Sequence, residues 1–278
     1  MPPRPSPTHF LCIPLVTGAS RHQLSASIGS FKADVASPDS FGIPEQAVRP
    51  VGTIHLTLGV MSFPKNENNL LEQAVSLLKM LVPRQILAGV NHNNNNNNNN
   101  NSATAPADVA SDPAAPPPPK ETAELSAGPP LSLSVTLRGL HSMQSASKAT
   151  VLYTAPVDPD GTLLRFCEHL RSAFQKAGLM VEEGRPLLLH ATIMNTIYVK
   201  GRDRGGGGGG AGGQRDRGGK RKNERLTIDA RAILDRYDDF VWMEHVPVEK
   251  IAICRMGAKK LDDDGDEAYE VEAEIDFA

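Results

Sequence analysis

The sequence reads His55-Leu56-Thr57-Leu58 in its first third and His190-Ala191-Thr192-Ile193 in its last third. Each stretch is His-x-Thr followed by an apolar residue, and each lies in a run of strand composition. Residues two apart in a strand share a face. His55 and Thr57 therefore project together, with Leu56 and Leu58 turned to the core. His190 and Thr192 project together in the same way, over Ala191 and Ile193. The chain has eight histidines, so about 0.4 His-x-Thr triplets would arise by accident at ordinary Thr usage. Two copies with the same apolar spacing, one in each half of the chain, point to a shared task.

Phosphodiester cleavage needs such a pair. A base must activate water or a ribose hydroxyl, and an acid must protonate the leaving oxygen. Histidine titrates near neutrality, so two of them can hold opposite protonation states at one pH. His55 and His190 are the candidate catalytic pair, and the spacing does not say which is the base. Thr57 and Thr192 are the candidate phosphate-binding donors, aimed at the non-bridging oxygens where charge develops. A dinuclear metal site would need carboxylates among its ligands, and no Asp or Glu lies beside either histidine. No metal and no cofactor is expected. His9, His22, His141, His169 and His245 lack the Thr partner and are read as structural.

Outward from the motifs, strand and helix patterns alternate. Phe10 to Leu15, Thr53 to Val60, Ala149 to Ala155, Leu187 to Asn195, Val248 to Arg255 and Tyr269 to Phe277 read as strands. Leu131 to Arg138 alternates apolar and polar residues, the spacing of a half-buried strand. Leu24 to Lys32 and Ala230 to Tyr237 read as short helices. Asn68 to Leu81 has helical apolar spacing, with Pro83 as a stop. Leu163 to Ala177 is a helix closed by Gly178. Adjacent strand pairs in a mixed order indicate an α+β fold with antiparallel sheets.

Two segments break the pattern of a single domain spanning 7–278. The first, 89–128, holds the Asn93–Asn101 run and Pro116-Pro117-Pro118-Pro119. It has too little apolar surface to offset its ordering entropy and is expected to be disordered, with His92 exposed and inert. The second, 201–224, joins six glycines to Arg215-Asp216-Arg217 and Lys220-Arg221-Lys222. It reads as a disordered basic insertion. It is either passive or an arm that adds salt-dependent phosphate affinity, and its Lys-Arg-Lys run is a very short match to a nuclear import signal. The net charge of −3 advertises no polyanion partner for the whole chain. Cys12, Cys167 and Cys254 are far apart and set among apolar residues, as buried thiols of a reducing compartment would be. The N-terminal residues lack a secretory apolar run, and no apolar stretch is long enough to span a membrane. The reading is a soluble monomer of the nucleus or cytoplasm.

The paired motifs resemble the signature of the 2H phosphoesterase superfamily. Thr8-His9-Phe10-Leu11-Cys12-Ile13-Pro14-Leu15 resembles the opening strand of one branch. That branch is shared by the A-kinase anchoring protein phosphoesterase-like domain and the activating signal cointegrator complex subunit 1. Leu189-His190-Ala191-Thr192-Ile193-Met194-Asn195-Thr196 is similar to the second motif of the cointegrator subunit. Asp229-Ala230-Arg231-Ala232-Ile233-Leu234 is similar to its following segment, with Asp-Ala in place of Asp-Gly. The resemblance implies a bilobal, LigT-like fold with two antiparallel sheets flanking a central groove and helices outside. It implies catalytic roles for His55 and His190 and phosphate-binding roles for Thr57 and Thr192. The expected activity is cleavage of RNA or oligonucleotide phosphodiesters. The alternative is a non-catalytic subunit that binds a nucleotide or RNA within a nuclear cointegrator or helicase complex acting in transcription or DNA repair. The KH domain of the cointegrator subunit is not expected before Thr8, and no kinase-anchoring helix is seen.

Overall fold

The computed structural model describes residues 6–64, 69–99, 132–181, 184–199, 225–261 and 265–277. The elements run in the order β1 (His9–Pro14), α1 (Arg21–Ala36), β2 (His55–Met61), α2 (Leu70–Met80), α3 (Pro83–Asn99), β3 (Ser134–Ser142) and β4 (Val151–Pro156). They continue with α4 (Thr162–Lys176), β5 (Ala191–Asn195), α5 (Arg231–Arg236), β6 (Val241–Pro247) and β7 (Lys250–Arg255), then β8 (Lys259–Lys260), β9 (Glu267–Ala268) and β10 (Val271–Asp276). Single 3-10 turns fill several of the joints.

Two four-stranded sheets form, ordered β10-β7-β1-β2 and β5-β4-β3-β6, with β8 and β9 pairing as a small separate ribbon. Every neighbouring pair in the two large sheets is antiparallel. β1 lies inside the first sheet and is apolar on both faces, because both faces of the sheet are covered at this strand. Its Leu11 and Ile13 join the main core, while Phe10 and Cys12 join Ala252 and Cys254 on the opposite face. All three thiols are buried and unbridged.

The lobes are not successive halves of the chain. The first sheet takes β1 and β2 from the N-terminal part and β7 and β10 from the C-terminal end. The long helices also cross over: α1 packs on β6 of the second sheet, and α4 packs on β2 of the first. Ser27 Oγ donates to the Trp242 carbonyl at 2.8 Å, and the Phe31 ring meets that indole edge-on at 5.2 Å. On the other side, Phe166 of α4 meets Phe277. One continuous apolar core therefore runs through both lobes.

Three sequence expectations change. The expected helix does end before Pro83, at Met80, but the chain does not leave helix there for long. Pro83 opens α3 two residues after α2, at a first-turn position where its missing N–H is no loss. α3 continues to Asn99, so the first part of the 89–128 segment is helical and Val90 is buried. β6 was not expected at all. His190 stands just before β5 rather than inside it. The rest of that segment from residue 100 and the basic 201–224 segment lie outside the described residues, as do Asp262–Asp264 of the acidic turn. Among the described residues, no helix is long and apolar enough to cross a membrane.

Candidate active site

β2 and β5 are each the edge strand of their own sheet, and the two strands adjoin. The segment before β2 fastens them. Val48 forms a bridge with Met194, and the Arg49 amide donates to the Ile193 carbonyl at 2.8 Å. The two His-x-Thr motifs are thereby brought to one seam between the lobes.

Both motifs carry the same backbone irregularity. In β2, Leu11 faces Gly59 and Cys12 faces Thr57, so Leu58 is an extra residue. In β5, Leu152 faces Met194 and Tyr153 faces Thr192, so Ile193 is an extra residue. A bulge directly after each Thr bends the strand and re-aims the side chains before it. Leu58 and Ile193 stay buried, while His55, Thr57, His190 and Thr192 are half-buried.

The imidazoles are held alike. His55 Nδ1 lies 2.8 Å from the Thr53 carbonyl, and His190 Nδ1 lies 2.9 Å from the Leu188 carbonyl. Each partner is the residue two positions upstream. A carbonyl only accepts, so both Nδ1 atoms carry hydrogen and each neutral ring presents the lone pair of Nε2. Burial pushes the His55 imidazole down to about 4; the Thr53 carbonyl pulls the other way, and His190 and Arg49 add to the fall. His55 is therefore neutral at pH 7, and Thr57 Oγ1, 3.0 Å from its Nε2, donates to it.

His55 backs onto a cleft of about 200 Å3, lined also by Phe10, Arg49, Thr57, Thr192, Tyr198 and Tyr269. The volume is below the roughly 300–1,000 Å3 of pockets that enclose a whole ligand. Phe10, His55 and Tyr269 form a three-ring cluster, with His55 at 4.8 and 5.2 Å from the other two and those two 4.9 Å apart. His190 does not line this cleft; its ring lies against Tyr153 at 5.4 Å, with His141 on the other side of Tyr153 at 5.5 Å. A second depression, lined by Phe41, Ile228 and Asp229 among others, contains neither histidine.

Of the four residues expected from the sequence, His55, Thr57 and Thr192 line the cleft, whereas His190 stands outside its lining and is near enough to act on the His55 imidazole. Arg49, Tyr198 and Tyr269 were not foreseen. Arg49 is 5% exposed, with its Cζ 3.9 Å from the centre of the Tyr198 ring. Burial pushes the Tyr269 phenol up, and the neighbouring guanidinium acts against that rise. The only local hint was an arginine set between Val48 and Pro50. Among the described residues, no three His, Cys, Asp or Glu side chains gather as a metal site requires.

Two sheets joined at their edge strands, each edge carrying a bulged His-x-Thr, define a 2H-phosphoesterase-type protein. The chain belongs to the AKAP7 2'5' RNA ligase-like domain family, whose pattern matches residues 7–277. An uncharacterized Schizosaccharomyces pombe protein is 27% identical over 132 residues, which is 48% of this chain. The chain spans about half (52%) of the length of that relative. Among solved structures, Escherichia coli LigT complexed with 3'-AMP is 14% identical, with 97% of each chain covered and a TM-score of 0.45. A Thermus thermophilus protein is 13% identical over the same shares, with a TM-score of 0.46.

Proposed function

We propose that this chain is a metal-independent phosphodiesterase that cleaves RNA or oligonucleotide phosphodiesters by two-histidine acid–base catalysis. The observation that carries the reading is the matched clamping of both Nδ1 atoms, which leaves each Nε2 as the atom for proton transfer, that of His55 resting against the Thr57 hydroxyl. His55, kept neutral by burial, is the base. Its Nε2 takes a proton from water or from the ribose 2'-hydroxyl, and that oxygen attacks phosphorus. His190, protonated at Nε2, donates to the leaving oxygen as the P–O bond breaks. Thr57 and Thr192 donate to the non-bridging oxygens as charge grows there.

The test is turnover of 2',5'- and 3',5'-linked oligoribonucleotides and 2',3'-cyclic ends in EDTA. Wild type is compared with His55→Ala and His190→Ala. Cleavage that survives EDTA and is lost in both variants is expected. The aromatic lining of the cleft favours a second reading, a non-catalytic nucleotide-binding module, and binding without any turnover across the panel would establish that instead.

A further inference from the structure

We propose that Arg49 is the anion clamp of this cleft, its guanidinium receiving the oxygens of a bound phosphate between the two His-x-Thr motifs. The proposal rests on the nucleotide-phosphate reading of the cleft given above and names the group that holds the phosphate.

The first support is an unmet need. Arg49 is nine-tenths buried, and its Nη2 has no hydrogen-bond partner among the described residues. An arginine cannot shed its charge, and a buried guanidinium N–H without an acceptor is costly. A bound anion would complete it. The second support is placement. Arg49 lines the same cleft as His55, Thr57 and Thr192, and it bears on the proton affinity of His55.

The third support is rigidity. The Arg49 amide is tied to Ile193, the bulged residue of the second motif, and Pro50 restricts the backbone on its other side. The guanidinium lies over the face of Tyr198, its Cζ 3.9 Å from the ring centre, and the Tyr269 phenol also bears on it. The unpartnered Nη2 of a planar guanidinium offers a directed donor to a phosphate oxygen, which a lysine ammonium does not. Arg49 therefore does two things at once: its backbone joins the two lobes, and its side chain offers positive charge where the motifs converge.

The experiment is thermal melting of the full chain with adenosine monophosphate or adenosine in EDTA at matched ionic strength. Each variant is compared with itself, so any loss of intrinsic stability cancels. In wild type, the monophosphate raises the melting temperature more than adenosine does. That excess vanishes in Arg49→Met and shrinks in Arg49→Lys. The affinity lost in Arg49→Met is about 10- to 100-fold, as for a hydrogen bond to a charged group. An excess equal to wild type in both variants overturns the clamp, and so does no excess in wild type. If Arg49→Met has no melting transition, Arg49→Lys alone decides. The measurement needs no turnover. An Arg49-dependent excess without cleavage would keep the clamp and remove the phosphodiesterase, whereas cleavage with an Arg49-independent excess would do the reverse.

Discussion

Thr57 Oγ1 stands 3.0 Å from Nε2 of His55, so the hydroxyl occupies the lone pair to which the proposed mechanism assigns the proton. Under that mechanism a bound phosphate turns the hydroxyl onto one of its oxygens and frees Nε2. Thr57→Val keeps the shape and removes the donor. It should lower kcat/KM by about 100-fold, the scale of one lost oxyanion donor. It should also speed carbethoxylation of His55 by diethyl pyrocarbonate, because Nε2 is uncovered. Full activity in Thr57→Val would remove the donor role.

The depressed His55 pKa has two signs to check. Burial is its main cause, and the value falls from 6.5 to about 4. Between those pH values the unfolded chain binds a proton at this site and the folded chain does not. Stability from this group is therefore full above about pH 6.5 and is lost as pH falls toward 4, by at most about 1.4 kcal/mol per pH unit. Denaturant midpoints measured from pH 7 to pH 4.5 should fall more steeply in wild type than in His55→Gln. In catalysis, the acid limb of kcat/KM should lie well below pH 6. An acid limb near 6.5, unmoved in His190→Gln, would contradict a buried neutral base.

Sequence reached some of this architecture and missed other parts for physical reasons. β2 was legible because alternation survives through Thr57, and α4 because Gly178, at φ 71°, supplies the left-handed stop. β6 was missed because its apolar residues do not alternate. Trp242 and Met243 are adjacent and both buried, and the strand bulges against β3 near His245, which sits at φ 51°. The pairing of β1 with β7 joins residues far apart in the chain, which local patterns do not encode. Arg49 belongs to no motif, and its importance comes only from the bridge that sets Val48 against Met194.

Gly59 is the one glycine of β2, and Met180 explains it. A Cβ on Gly59 would sit 2.1 Å from the Met180 sulfur and 2.7 Å from its methyl. Met180 follows α4 and is 5% exposed, so it has little room to retreat. Gly59→Ala should cost about 1–3 kcal/mol by overpacking, and Gly59→Val more. Adding Met180→Ala should recover part of the Gly59→Ala loss, because the obstructing atoms are gone. Additive losses in the double mutant, by urea denaturation, would show that the two residues do not share this contact.

The crossed helices can be tested through the single tryptophan of the chain, Trp242. It is buried in β6, donates from Nε1 to the Gly139 carbonyl at 2.8 Å, and meets Phe31 of α1 as well as Tyr237 and Phe240. Phe31 has no exposed surface. Phe31→Ala should destabilise the fold by about 3–5 kcal/mol, the cost of removing a fully buried ring. It should also shift the emission of native Trp242, because the ring it touches is lost from a helix that belongs to the other lobe by chain order. Native emission unchanged in the folded variant would mean that α1 does not pack on β6. The crossover that ties the lobes around the cleft would then fail with it.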